Sequence, residues 1–227
     1  MNPLLVAHGT RKADGVAMVA DLADRVGAHL GQRVRTAFVD VLGPTPADVL
    51  SALPDGRAVV VPAFLAGGYH VRVDIPAFVE ASGHPDVTVT DPLGPSPHIV
   101  RVLCDRLAES DWRPTDSVIL AAAGTSDPHA HRDLVTTAAL LSAAIGARVE
   151  LAYAATGEPR VADAVAAMRG RGRGRVVVAS YLLADGLFQD RLRQSGADVV
   201  TEPLGPHPGV ARLIASRFRL AHLPLTV

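Results

Sequence analysis

The sequence predicts an α/β protein made of two tandem copies of one unit, each a parallel sheet flanked by helices. Three observations predict it. Short apolar runs of strand length alternate with helix-period segments from one end of the chain to the other, the pattern of parallel strands joined by crossover helices. The phrase Pro-Leu-Gly-Pro occurs at residues 92–95 and again at 203–206, each time leading into an apolar helical stretch. With 48% hydrophobic and 20% charged residues, the chain has the composition of a packed globular protein.

The elements follow in order. Leu4–Ala7 reads as the first strand. Met18, Val19, Leu22, Val26 and Leu30 recur at helical spacing, which predicts a helix over 16–30. Residues 34–39 form the second strand, 47–53 a short helix, 59–61 the third strand, 75–81 a helix and 87–90 the fourth strand. The helix at 47 has its start chemistry written out: Thr45 caps, Pro46 takes the first helical position and Asp48 stands where a capping-box acid belongs. A helix over 97–107, opened by Ser96, closes the first copy. The second copy repeats the plan with strands at 118–122, 149–153, 176–179 and 199–201 and helices at 134–145, 161–168, 187–194 and 209–218.

The repeat is visible in letters as well. Val59-Val60-Val61-Pro62-Ala63-Phe64-Leu65 parallels Val176-Val177-Val178-Ala179-Ser180-Tyr181-Leu182, and the segment from Leu4 to Thr10 parallels Val118 to Thr125. The polar stretch Glu109-Ser110-Asp111-Trp112-Arg113-Pro114 places the boundary there, giving domains 1–111 and 112–227. Arginine and glycine alternate from Arg169 to Arg175. With no aromatic residue among them, the tract is expected to be a solvated, flexible connection rather than a nucleic-acid contact.

Charge and cysteine content narrow the function. Lys+Arg 22 against Asp+Glu 23 leaves a formal charge of −1, so the chain has no basic excess to attract nucleic acid or an anionic membrane, and an anionic ligand needs a local site. The lone Cys104 excludes an intrachain disulfide and a cysteine-cluster metal site; on a helix face it reads as a structural thiol. The opening residues have no basic region and too short an apolar stretch for a signal peptide or membrane span, so a cytoplasmic location is expected.

Open α/β sheets bind ligands at the carboxyl ends of their strands. In the first copy those loops carry His8-Gly9-Thr10-Arg11-Lys12 after the first strand, Asp40 after the second, and Gly67-Gly68-Tyr69-His70 after the third. Neutral imidazole is a ligand for borderline divalent metals and a base near neutral pH, so two such histidines at one sheet edge suit metal capture, proton removal or both. Glycine beside each histidine allows close approach of a planar ligand or of another backbone segment. In the second copy Ala123 stands at the place of His8, and Leu187 or Phe188 at that of His70. Joint loss of both histidines from one copy is what a single two-histidine site in the other copy predicts. The remaining histidines read as surface or cap residues, with His129 and His131 the weaker candidates for an auxiliary metal site.

These segments resemble a known family. His8-Gly9-Thr10-Arg11, Ala37-Phe38-Val39-Asp40, and Pro62-Ala63-Phe64-Leu65-Ala66-Gly67-Gly68-Tyr69-His70 followed by Asp74-Ile75-Pro76 are similar to the class II sirohydrochlorin chelatases, cobalt- or iron-inserting enzymes of cobalamin and sirohaem synthesis. The similarity extends over the whole chain as a duplicated unit. It implies two flavodoxin-like domains in a monomer, a tetrapyrrole cleft between them, a divalent metal (cobalt or iron, with nickel the third candidate) as substrate, and no organic cofactor. His8 and His70 match the metal-handling histidines. Asp40 stands where glutamate is usual, and the histidine-rich segment of some long members is absent.

What the resemblance implies mechanistically is a loosely held metal, a base for the two pyrrolic protons, and cations for the carboxylates of sirohydrochlorin. His8 and His70 share the first tasks with Asp40. Arg11, Lys12 and Arg72 are candidates for the carboxylates, and Gly9, Thr10, Phe64, Gly67, Gly68 and Tyr69 for contact with the macrocycle. A non-catalytic metal or tetrapyrrole carrier on the same fold is the main alternative. A histidine phosphatase is disfavoured because Ala7, not arginine, precedes His8, and a nucleotide binder because no glycine-rich phosphate loop follows the first strand.

Overall fold

A computed structural model describes residues 1–10, 12–172, 174–205 and 207–222. The chain runs β1 (Asn2–Ala7), α1 (Ala13–Leu30), β2 (Arg35–Phe38), α2 (Pro46–Ser51), β3 (Ala58–Pro62), α3 (Ile75–Ser82), β4 (Val87–Val89) and α4 (Pro97–Glu109). It then repeats as β5 (Ser117–Gly124), α5 (Pro128–Ile145), β6 (Val149–Thr156), α6 (Val161–Gly170), β7 (Val176–Tyr181), α7 (Leu187–Arg193), β8 (Val199–Val200) and α8 (Pro208–His222). The strands form two four-stranded sheets, β2-β1-β3-β4 and β6-β5-β7-β8. Every pairing in both sheets is parallel. The identical order establishes the duplication that the letters suggested.

Central strands covered on both faces must be apolar throughout, and β3 and β7 are buried at every residue. In the first sheet Leu4, Val6 and Val60 pack with Leu50 of α2 and Ile75 of α3. In the second, Ile119, Ala121 and Val178 pack with Val161, Val165 and Met168 of α6 and Leu192 of α7. The capping box expected at Thr45 is present, with the Asp48 backbone N–H donating to Thr45 Oγ1 over 3.2 Å and Thr45 N–H to the Asp48 carboxylate over 2.9 Å. The Thr45 hydroxyl, donating to the Asp48 carboxylate over 2.7 Å, and then the Thr45 N–H hold that carboxyl below its ordinary range.

The two compact units are residues 1–93 together with α8, and Gly94–Gly205. This differs from domains of 1–111 and 112–227 at two helices. Helix α8 lies on α1 and β3, while α4 lies on α5 and β7. The apolar stripe of α4 (Ile99, Val100, Val102, Leu103, Leu107) is equally suited to either copy's sheet, so nothing in its own sequence tells which one it covers. Tertiary packing decides, as in any exchange of equivalent elements between duplicated units. The arginine tract is solvated as expected, and its arginines form surface ion pairs. Arg169 pairs with Asp198 at 2.9 Å, Arg171 with Glu150 at 3.1 Å, and Arg175 with Asp116 at 3.5 Å. Arg173 lies outside the described residues. Among the described residues no helix is long and apolar enough to cross a membrane.

Phe218 of α8 is fully buried. Truncation to alanine in a packed core costs about 3–5 kcal/mol. Phe218→Ala is therefore expected to destabilise the first unit, with amide-exchange protection lost in β1 and β3 before β5 and β7. Earlier loss in β5 and β7 would contradict the packing of α8.

Candidate functional site

In each sheet the strand order reverses between the first and third strands of the unit: β1 connects onward to one side and β3 to the other. The loops leaving the carboxyl ends of such a pair diverge and open a crevice between them. His8 follows β1 and His70 follows β3. The topology thus delivers both histidines to the two lips of one crevice.

The two rings meet edge to face, with centroids 4.7 Å apart and planes at 88°. An imidazole nitrogen binds a borderline divalent metal at about 2.1 Å, which puts the ring centroid roughly 3.2 Å from the ion. Two rings sharing one ion at about 90–110° then have centroids roughly 4.5–5.2 Å apart. The observed spacing falls inside that window. Among the described residues no cluster of three or more His, Cys, Asp or Glu could hold a metal, so an ion held by this pair keeps most of its coordination positions for other ligands.

The Nδ1 atom of each ring lies near an oxygen, Gly9 O at 3.2 Å for His8 and Asp74 Oδ2 at 2.6 Å for His70. His8 is exposed and His70 half-buried. The ring of His70 is flanked by Phe64 at 6.1 Å and Tyr69 at 6.3 Å between centroids.

The loop after β3 is built unusually. His70–Asp74 winds as a π-helical turn, closed by Ile75 N–H donating to His70 O. Its cause is readable in the sequence. Pro76 has no N–H to give back to the carbonyl of Arg72, so regular α-helix cannot run through this point, and a wider turn accommodates the break. The Gly68 carbonyl accepts from both Val71 and Arg72 N–H at 3.1 Å, starting the turn, and fully buried Ile75 roots it in the core.

On the other side, Gly9 has φ +98° and a Cβ there would stand 2.1 Å from the carbonyl oxygen of Asp40. The His8 loop passes that closely under the β2 loop, and Asp40 N–H donates to His8 O over 3.0 Å. Gly124 occupies the same place in the second copy, with φ +104° and a Cβ 1.8 Å from Thr156 O. The glycine is kept in both copies because the backbone approach requires it, whereas His8 has become Ala123. Fold and chemistry separate cleanly at this pair of residues.

Asp40 is brought beside His8 through its backbone. Its side chain is exposed, with Oδ1 accepting from Val41 N–H at 2.7 Å. Val41 has φ +70°, uncommon for a β-branched residue, and the Leu42 N–H returns to Asp40 O over 2.8 Å, closing a three-residue turn. Thr10 Oγ1 accepts from Lys12 N–H, and its methyl group abuts Gly15. Arg72 and Lys12 are exposed. Arg11 lies outside the described residues. Tyr69, Val73 and Val41 are 61%, 44% and 42% exposed, so this edge presents apolar surface next to the histidines.

The second copy uses the same loops structurally. Buried Gln189 accepts from Ser180 Oγ at 2.7 Å and donates to Thr201 O at 2.9 Å, while Ser180 N–H bonds Thr201 Oγ1 at 3.0 Å. Burial pushes the Tyr181 hydroxyl, which meets Thr137 Oγ1 at 3.3 Å, well above its ordinary pKa. His129 engages Arg132, and His131 lies 2.9 Å from the Tyr153 hydroxyl, so the two histidines have separate partners. Leu187 and Phe188, the counterparts of the His70 position, are 58% and 38% exposed.

A doubled parallel-sheet unit with two histidines paired at the edge of its first sheet defines the class of protein. The CbiX family profile matches residues 2–110 and again 117–221, and the chain belongs to that family. The sirohydrochlorin ferrochelatase of Priestia megaterium is 26% identical over 95% of this chain and 88% of its own. The sirohydrochlorin cobaltochelatase of Methanothermobacter thermautotrophicus is 28% identical over 46% of this chain and 88% of its own. SirB from Bacillus subtilis with Fe3+ superposes with a TM-score of 0.84 at 21% identity, covering 97% of this chain and 96% of that one, which establishes the shared fold.

Gly9→Ala and Gly124→Ala form a matched pair. Each forces a side chain into a disallowed approach and is expected to cost roughly 2 kcal/mol or more. Only Gly9→Ala should weaken Co2+ binding measured by calorimetry on the folded fraction. Equal effects of both on Co2+ would separate the metal from the His8 loop.

Proposed function

We propose that this protein is a cytoplasmic sirohydrochlorin chelatase that inserts a divalent metal ion, Co2+ or Fe2+ with Ni2+ the third candidate, into the anionic tetrapyrrole on the path to sirohaem or cobalamin. The observation that supports this reading is the incomplete ligand set: two imidazoles at metal-sharing distance with, among the described residues, no cluster of three or more His, Cys, Asp or Glu. A structural metal site closes its coordination shell, whereas a site that must hand its ion on keeps positions open. The names of the relatives support the same chemistry.

Insertion exchanges the ligands of the metal for four pyrrole nitrogens while two pyrrolic protons leave. His8 and His70 hold the ion at the lip of the crevice, so that encounter with the macrocycle becomes a positioned event. Asp40, tied by its backbone to His8, is the carboxylate assigned to take protons, and each metal-bound imidazole can do so once it has released the ion. Tyr69, Val73 and Val41 provide apolar surface for the ring system, with Phe64, Gly67 and Gly68 shaping the loop. Arg72, Lys12 and Arg11 are the cations offered to the peripheral carboxylates, with Gly9 and Thr10 contributing from the His8 loop.

The test is multiple-turnover formation of metallated sirohydrochlorin, followed by absorbance beside thermal melting of each variant. His8→Ala and His70→Ala are each expected to lower the rate on the order of 100-fold or more with folding hardly changed. The His129→Ala/His131→Ala double variant should keep most activity. A collapse confined to that double variant would place the site in the other copy. A single turnover without release would make the protein a carrier.

Asp40→Asn is expected to slow insertion on the order of 100-fold at unchanged Co2+ affinity if the carboxylate takes protons. Unchanged turnover would reduce Asp40 to its backbone role.

A further inference from the structure

Asp74 is the one carboxylate placed on an imidazole of the pair. Its Oδ2 lies 2.6 Å from His70 Nδ1, while the other histidine has only the neutral Gly9 carbonyl at 3.2 Å. Carboxylate and carbonyl oxygens accept and do not donate, so in the neutral ring Nδ1 carries the hydrogen and Nε2 keeps the lone pair. The two contacts differ in strength, since a hydrogen bond to a charged acceptor is shorter and roughly twice as strong as a neutral one. They differ in anchoring too. Asp74 sits one π-helical turn after His70 and immediately before fully buried Ile75, with its side chain 28% exposed, whereas His8 is exposed on its loop.

We infer that Asp74 is a positioning residue that locks His70 in the Nδ1–H tautomer and makes the pair unequal, His70 the anchoring ligand and His8 the one that lets go. A charged acceptor on Nδ1–H fixes the ring and strengthens donation from Nε2. Transfer then proceeds by losing the weaker ligand first, while the ion stays tethered to the rooted turn. The inference rests on the chelatase reading for its purpose, but not for its geometry.

Five proteins are compared at one fixed pH: wild type, Asp74→Asn, Asp74→Ala, His8→Ala and His70→Ala. Long-range 15N spectra of the imidazoles should show His70 with Nε2 unprotonated in the wild type, the same in Asp74→Asn, whose amide oxygen still accepts, and a tautomer mixture in Asp74→Ala. His8 should be unchanged throughout. Co2+ affinity by calorimetry is expected to fall about 10- to 100-fold in Asp74→Ala and less in Asp74→Asn, with melting temperatures near wild type. His70→Ala should lose more Co2+ affinity than His8→Ala. An unchanged His70 tautomer and Co2+ affinity in Asp74→Ala, or equal losses for the two histidines, overturns the inference. Asp74-dependent Co2+ binding by a protein that never metallates sirohydrochlorin overturns the chelatase reading alone.

Discussion

The reversal of strand order between β1 and β3 is the constraint on which the site depends. Two neighbouring parallel strands whose connections leave in opposite directions cannot close their carboxyl-end loops over each other, so a crevice remains where the loops part. His8 directly follows β1, and the π-helical turn rooted by Ile75 carries His70 back to the same edge after β3. The two rings arrive 4.7 Å apart because the strand end and the rooted turn bring them to one place. The apolar strands beneath, Leu4 to Ala7 and Val59 to Val61, are fixed by burial on both faces, and the site inherits their rigidity.

Duplication supplies an internal control. The two sheets have the same strand order, and Gly9 and Gly124 make the same close backbone approach. What the second copy lacks is the two histidines: Ala123 stands for His8, and beyond β7 a buried hydrogen-bond network of Ser180, Gln189 and Thr201 ties strand to helix where the first copy has a π-helical turn. The polar network in the second copy is satisfied and buried, the pattern of a region specialised for stability. Both copies leave apolar side chains exposed at this edge, but only the first adds imidazoles there.

Much of this was legible in the letters because the governing signals are local. Strand runs such as Val59-Val60-Val61, the helix period from Met18 to Leu30 and the capping box at Thr45 each state their structure within a few residues. So did the histidine pair, through the contrast between copies. The exchange of α4 and α8 was not legible, since the apolar stripe of each helix fits either sheet and only the tertiary contact chooses. Asp74 was missed as a partner of His70 although the signal was present: a carboxylate four residues on, with Pro76 forcing a widened turn that sets the two side chains together. The ion pairs of Arg169, Arg171 and Arg175 were not legible because their partners Asp198, Glu150 and Asp116 are distant in sequence.

The central claim is that one divalent ion is shared by two imidazoles of the first copy and by little else from the protein. X-ray absorption at the cobalt edge of the stoichiometric Co2+ complex tests it most directly. The account predicts two imidazole ligands with the remaining positions filled by water oxygen, falling to one imidazole in His8→Ala and in His70→Ala. Two imidazoles retained in either variant, or a shell closed by further protein ligands in the wild type, would contradict it.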